Sequence, residues 1–199
     1  MECTFGLVGD GFVIVAADCM AARSIVVFKQ DEDKVIELDS HRVLGVSGTG
    51  ADNMNFTEYV QKNLALYQIN SGLKLSTKAT ANFIRGELAT ALRKGPYQTN
   101  VLLGGFDTKA DEASLYYIDY LASLNKVNFG CHGYASNFIL SIMDREYKVG
   151  LSKAEGMAIM EKCVAELRLR FLVAYPCFKI KIVTMEGIEI VDYTKATKA

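Results

Sequence analysis

The chain has 199 residues, half of them hydrophobic and 23% charged, with two prolines and a formal net charge of −1. That is length and apolar content for one large packed domain spanning residues 1–199, which excludes a disordered or linker-rich protein. The basic residues are scattered, which excludes nucleic acid as a partner, and no apolar run reaches the ~20 residues that span a bilayer.

The first two strands are predicted at 3–8 and 12–17, joined by the turn Gly9-Asp10-Gly11. The second is the run Phe12-Val13-Ile14-Val15-Ala16-Ala17 ending in Asp18. An unbroken apolar run of this length fits a strand buried on both faces that carries one carboxylate to its rim. Three β-like runs follow at 24–29, 34–38 and 42–47. Between them, Asp31-Glu32-Asp33-Lys34 reads as a solvated stretch and His41, in a polar turn, as exposed.

Two helices come next. In 52–70, Phe56, Val60, Leu64 and Tyr67 form one stripe behind Asp52 as N-cap; in 76–94, Ser76 caps and Ala79, Phe83, Leu88, Ala91 and Leu92 form the apolar side. Gly95-Pro96 stops the second helix.

The order then repeats. Strands are predicted at 99–106, 114–119 and 124–130, with Asp107–Glu112 turning between the first two. In the next helix Phe138, Ile139, Ile142 and Met143 face inward, and Ser152-Lys153-Ala154-Glu155 is a capping box opening the last one, where Met160, Val164, Leu167 and Phe171 are spaced for burial. A closing hairpin pairs 177–184 with 188–193, and the tail Lys195–Ala199 reads as solvated. Strands in blocks and helices in pairs argue for an α+β domain of antiparallel sheets with helices on their outer faces.

Several motifs carry little. The segment Gly45-Val46-Ser47-Gly48-Thr49-Gly50 has Ala51 where a P-loop needs Lys, Asn53 where a dinucleotide loop needs Gly, and Thr49 where a nucleophile elbow needs Gly. It reads as a turn that lets backbone approach closely. Two histidines, His41 and His132, stand away from any cluster at ligand spacing, so no metal or cofactor is expected. His132 reads as packed or hydrogen-bonded, with an intersubunit contact as its further use. Tyr116, Tyr117 and Tyr120, and Phe171 with Tyr175, serve either core packing or interface anchoring. Cys3, Cys19, Cys131, Cys163 and Cys177 include no Cys-x-x-Cys pair and fit small buried side chains in a reducing compartment. With Glu2 and Asp10 interrupting any apolar leader, the expected location is the cytoplasm and nucleus.

Asp18, Lys34 downstream of it and Leu44-Gly45-Val46-Ser47-Gly48 together resemble the core of a proteasome beta-type subunit. Four more blocks extend the likeness over the chain: Glu58-Tyr59-Val60-Gln61-Lys62-Asn63 with Leu66-Tyr67, Ala81-Asn82-Phe83, Leu115–Ala122, and His132-Gly133-Tyr134 with Leu140–Arg145. Within the family they are similar to the non-catalytic beta-4 position. The resemblance implies the four-layer αββα sandwich of N-terminal-nucleophile hydrolases. It also implies a site in which an N-terminal threonine, sixteen residues before the aspartate, attacks the scissile amide while its own amine takes the proton. Asp18 and Lys34 match the residues that poise that threonine, and Gly48 matches the glycine whose N–H lines the oxyanion hole.

Sixteen residues before Asp18 stands Glu2, with only Met1 ahead of it. Trimming to Thr4 would place a hydroxyl about 6.6–6.8 Å too far along the strand. Trimming to Cys3 would aim a thiol at the other face. Where active relatives carry a supporting serine this chain has Cys131, and in place of an Asp-x-x-Ser pair it has Phe171 and Ala174. Asp18, Lys34, Gly48 and Glu2 are therefore expected to be remnants of a site without a nucleophile, Asp18 and Lys34 persisting as a semi-buried ion pair. The resemblance further implies a structural subunit of the 20S core particle, beside beta-3 and beta-5 in its ring, touching beta subunits of the opposite ring and the alpha ring, in degradation of ubiquitinated or unfolded proteins. An active threonine or cysteine peptidase after N-terminal trimming is the rival reading.

Overall fold

The computed structural model describes residues 2–23, 25–173 and 175–194. Met1, Ser24, Ala174 and the 195–199 tail lie outside the described residues, and with them the expectations placed on Ala174 and on the tail.

The first block is β1 (Cys3–Gly9), β2 (Phe12–Asp18), β3 (Ala21–Arg23), β4 (Val26–Lys29), β5 (Val35–Asp39) and β6 (Arg42–Gly48), followed by α1 (Gly50–Ser71) and α2 (Thr77–Ala91). The second is β7 (Thr99–Asp107), β8 (Glu112–Ile118), β9 (Leu124–Val127) and β10 (Phe129–Gly133), then α3 (Ser136–Glu146) and α4 (Lys153–Arg170), closed by β11 (Cys177–Thr184) and β12 (Gly187–Thr194). They form two five-stranded antiparallel sheets, β10-β1-β2-β11-β12 and β5-β6-β7-β8-β9, and the ribbon β3-β4.

Alternation along each strand decides which layer a residue joins. In β2, Phe12, Ile14 and Ala16 join an apolar cluster with Ile139, Met143, Met160, Val164 and Leu167 of α3 and α4. Their neighbours Val13, Val15 and Ala17 join a second cluster with Val43, Leu102 and Leu115 of the other sheet. The strand is buried on both faces, as its unbroken apolar run implies. On the far side of the second sheet, Leu44, Val46, Val101 and Leu103 pack against Phe56, Val60, Ile84 and Leu88 of α1 and α2. The sheets meet tightly at Gly45, where a Cβ would lie 2.7 Å from Thr4 Cγ2 and 2.8 Å from Val15 Cγ1.

Several expectations are corrected. The strand predicted at 124–130 is two strands: β9 pairs with β8 in one sheet, and β10 pairs with β1 in the other. A single apolar run cannot signal that the chain changes sheets. β3 is an additional three-residue strand, too short for an alternation signal. The N-cap of α1 is Thr49, while Asp52 accepts a hydrogen bond from Gln98 N at 3.0 Å, and Tyr67 is exposed. The buried face of α2 is Thr77, Thr80, Ala81, Ile84 and Leu88, because Thr80 meets the buried Arg42 and Thr77 meets Asp107. The α2 cap at Ser76 and the Ser152–Glu155 capping box form as expected. Phe171 lies just past the end of α4, half-buried.

The acidic stretch before β5 is not simply solvated. Lys34 is buried, and Asp33, with Glu37, pairs with the buried Lys181 of β11, each at 2.9 Å. This bridge ties the two sheets together. His41 is half-buried, its Nε2 3.1 Å from the Met185 carbonyl.

Candidate functional site

Asp18 ends β2 with no exposed surface, and every interaction of its carboxylate is made within the protein. Oδ1 accepts from Cys3 N at 2.8 Å; Oδ2 accepts from Met20 N at 3.0 Å and from Lys34 Nζ at 2.8 Å. Lys34, 4% exposed, also donates to the Met20 carbonyl at 2.7 Å. A buried ion pair is tolerated where further hydrogen bonds satisfy both ions, and both ions here are so satisfied. The expected pair is present, and it is fully rather than partly buried.

Glu2 precedes β1 on the face shared with Thr4 and directed at the second sheet. Its Oε1 lies 3.8 Å from Lys34 Nζ. Its Oε2 accepts from Gly48 N and, at 3.4 Å, from Asn53 Nδ2. Burial raises the Glu2 carboxyl above its ordinary value, opposed by the Lys34 charge and the Gly48 N–H. Gly48 holds φ +146°, and a Cβ there would sit 2.0 Å from the Gln98 carbonyl oxygen, so the turn requires glycine. The Gly45–Gly50 segment is this strand-to-helix turn, as read from the sequence. Its free N–H, just ahead of α1, suits an anion, and the chain supplies one from its own Glu2.

Asp18, Lys34, Gly48 and Glu2 are thus brought together, and what assembles them is the stacking of β6 against β1 and β2. A cleft of about 280 Å³ opens beside them, lined in part by Glu2, Lys34, Val46, Asn53 and Met54. Asn53 was not foreseen: as one polar residue on a helix it has no sequence signature, and only the fold points it at Glu2.

Neither of the two groups that trimming would offer as a replacement nucleophile is among the residues that line this cleft. Thr4 is fully buried, its Oγ1 donating to the Val46 carbonyl at 3.0 Å. Cys3 points into the helix-side cluster, as the strand register requires, and burial pushes its thiol well up. Cys131 lies in the same cluster. Phe171 stacks on Tyr175 with centroids 5.4 Å apart and meets Phe138 edge-on at 5.7 Å. Aromatic packing stands where the resemblance places acid–hydroxyl support.

His132 is 3% exposed, its Nε2 2.9 Å from the Val101 carbonyl and its ring stacked on Tyr117 at 4.0 Å. It joins β10 to β7 inside the chain, packed and hydrogen-bonded as expected, and its burial leaves little surface for the further intersubunit use. Tyr116 is buried, and Tyr120 is exposed. Among the described residues no three His, Cys, Asp or Glu side chains gather at metal-binding distance, and no helix is long and apolar enough to cross a membrane.

Two antiparallel sheets with paired helices, and an aspartate–lysine pair at the end of β2, define an N-terminal-nucleophile type of α+β domain. The proteasome subunit family matches residues 2–183, and the chain belongs to it. Among its relatives, proteasome subunit beta type-2-B of Arabidopsis thaliana is 55% identical over 187 residues, covering 94% of each chain. Proteasome subunit beta type-2 of Dictyostelium discoideum is 45% identical, covering 97% of this chain and 98% of its own. The probable proteasome subunit beta type-4 of Neurospora crassa is 40% identical, covering 97% and 96%.

Proposed function

We propose that the chain is a non-catalytic structural beta subunit of the 20S proteasome core particle. One observation carries the reading: Glu2 occupies the nucleophile position and its carboxylate takes up the Gly48 N–H. A carboxylate already seated on that donor leaves it no place for the oxyanion of a substrate, so both nucleophile and oxyanion stabilisation are lost together. In this reading Asp18, Lys34 and Gly48 are remnants that now hold the fold.

The three apolar clusters support a single domain with the layer order α3/α4, first sheet, second sheet, α1/α2, the αββα sandwich. The subunit completes a beta ring and the wall of the proteolytic chamber. Its neighbours are beta-3 and beta-5, with the alpha ring and the opposite beta ring beyond, in the cytoplasm and nucleus. The complex degrades ubiquitinated or unfolded proteins; this chain contributes position rather than chemistry.

Native mass spectrometry of the chain isolated in its assembly tests this, with an electrophilic N-terminal-nucleophile probe added first. The expected result is a complex many times the 21.9 kDa of the chain, releasing it with Glu2 retained and unlabelled. Release with Cys3 or Thr4 as first residue, carrying the probe, would establish the peptidase instead. A lone species at the chain's own mass would overturn the ring assignment.

A further inference from the structure

The site described above uses none of the thiol chemistry that adjoins it where β2 ends against β11. In that ladder Asp18 faces Phe178 and Ala17 faces Lys179. Continuing the register by one step sets Cys19 opposite Cys177. The Cys19 N–H donates to the Cys177 carbonyl at 3.3 Å, so the antiparallel geometry persists there. Directly opposed residues in such a pair have Cα atoms about 5.5 Å apart when hydrogen-bonded, within the ~4.4–6.8 Å that a disulfide bridges. Both cysteines are free thiols. Burial, and after it the neighbouring Cys177 thiol, raises the Cys19 thiol above its ordinary value.

The two thiols differ in access. Cys19 is 1% exposed, whereas Cys177 is half-buried and its Sγ reaches the Gln30 carbonyl at 3.2 Å. Both line a cleft of about 390 Å³ with Gln30, Asp31, Lys179 and Asp192. Cys3, Cys131 and Cys163 are instead sealed in the cluster under α3 and α4.

We propose that Cys19 and Cys177 are a redox-active dithiol that glutathione disulfide converts reversibly to an intrachain disulfide. The Cys177 thiolate attacks one sulfur of glutathione disulfide, forming a mixed disulfide and releasing one glutathione thiolate. Cys19 then gives up its proton to solvent, and its sulfur attacks the Cys177 sulfur and expels the second glutathione thiolate. Two protein thiols are oxidised, one small disulfide is reduced to two thiols, and excess glutathione reverses both steps. The more accessible partner, Cys177, is the entry point, and the buried Cys19 opposite it is the resolving thiol. The product pins the end of β2, one residue past Asp18, to the start of β11.

The test uses the full chain in the assembly in which it is isolated. The assembly is incubated with glutathione disulfide, free thiols are alkylated after denaturation, and peptides are read by mass spectrometry. The expected outcome is a linked Cys19–Cys177 peptide pair lacking two hydrogens, lost on adding dithiothreitol, with Cys3, Cys131 and Cys163 fully alkylated. In Cys19→Ser a persistent glutathione adduct collects on Cys177; in Cys177→Ser, Cys19 stays fully alkylated. Complete alkylation of both residues in the unsubstituted chain overturns the proposal, and so does a glutathione adduct on Cys177 that never resolves. Neither result depends on whether the chain sits in a proteasome ring.

Discussion

Asp18 shows how much one side chain holds. Its two oxygens satisfy Lys34 Nζ and the N–H groups of Cys3 and Met20, all within the protein interior. Truncating it leaves an ammonium buried without its partner, and such losses run to about 3–5 kcal/mol. Asp18→Ala is expected to lower stability by that amount in denaturant unfolding, with Lys34→Met costing less because the remaining carboxylate keeps two N–H donors. His132 gives a pH signature. Burial lowers its pKa from 6.5 to about 4. Between those values the unfolded chain binds a proton that the folded chain refuses, so stability falls as pH drops from 6.5 towards 4 and is unaffected by this group above 6.5. The contribution amounts to about 3 kcal/mol over the window. His132→Phe should flatten the pH dependence of unfolding there by a comparable amount, and an unchanged slope would contradict the assignment.

At the scale of elements, local signals served where the physics is local. The capping box at Ser152 and Glu155 needs only neighbours in sequence, and it forms. Ser152→Ala removes the acceptor for the Glu155 N–H and is expected to cost about 1 kcal/mol in thermal melting. The buried face of α2 could not be read the same way. Its threonines are buried because Asp107 and Arg42 wait for them across the fold, and threonine carries no periodic apolar signal. The split of 124–130 into β9 and β10 has the same origin: both halves are strand-like, and the change of sheet at Asn128 is decided by the partners on either side.

For the whole molecule, the decisive surface is the contact between the two sheets. Gly45 lies against Thr4 and Val15 across it, with no room for a Cβ. Gly45→Val would force the sheets apart, with an expected cost of about 1–3 kcal/mol as in other overpacked cores. Because Glu2 reaches Gly48 across this contact, the same substitution should expose the cleft beside Glu2 to faster amide hydrogen exchange at Gly48. Lys181 works at the same scale, joining β11 to Asp33 and Glu37 at the start of the other sheet.

The sequence by itself determined the alternation of strand blocks with helix pairs, the double burial of β2 and the absence of a threonine sixteen residues before Asp18. Each of these is carried by neighbouring residues or by a fixed spacing. It also marked Asp18, Lys34, Gly48 and Glu2 through family likeness. Only the tertiary structure decided that the Glu2 carboxylate sits on the Gly48 N–H, that Asn53 joins it, and that Cys19 faces Cys177. Those contacts join residues 46, 51 and 158 positions apart. A local pattern cannot encode such separations, because they are fixed by strand register and by the stacking of two sheets.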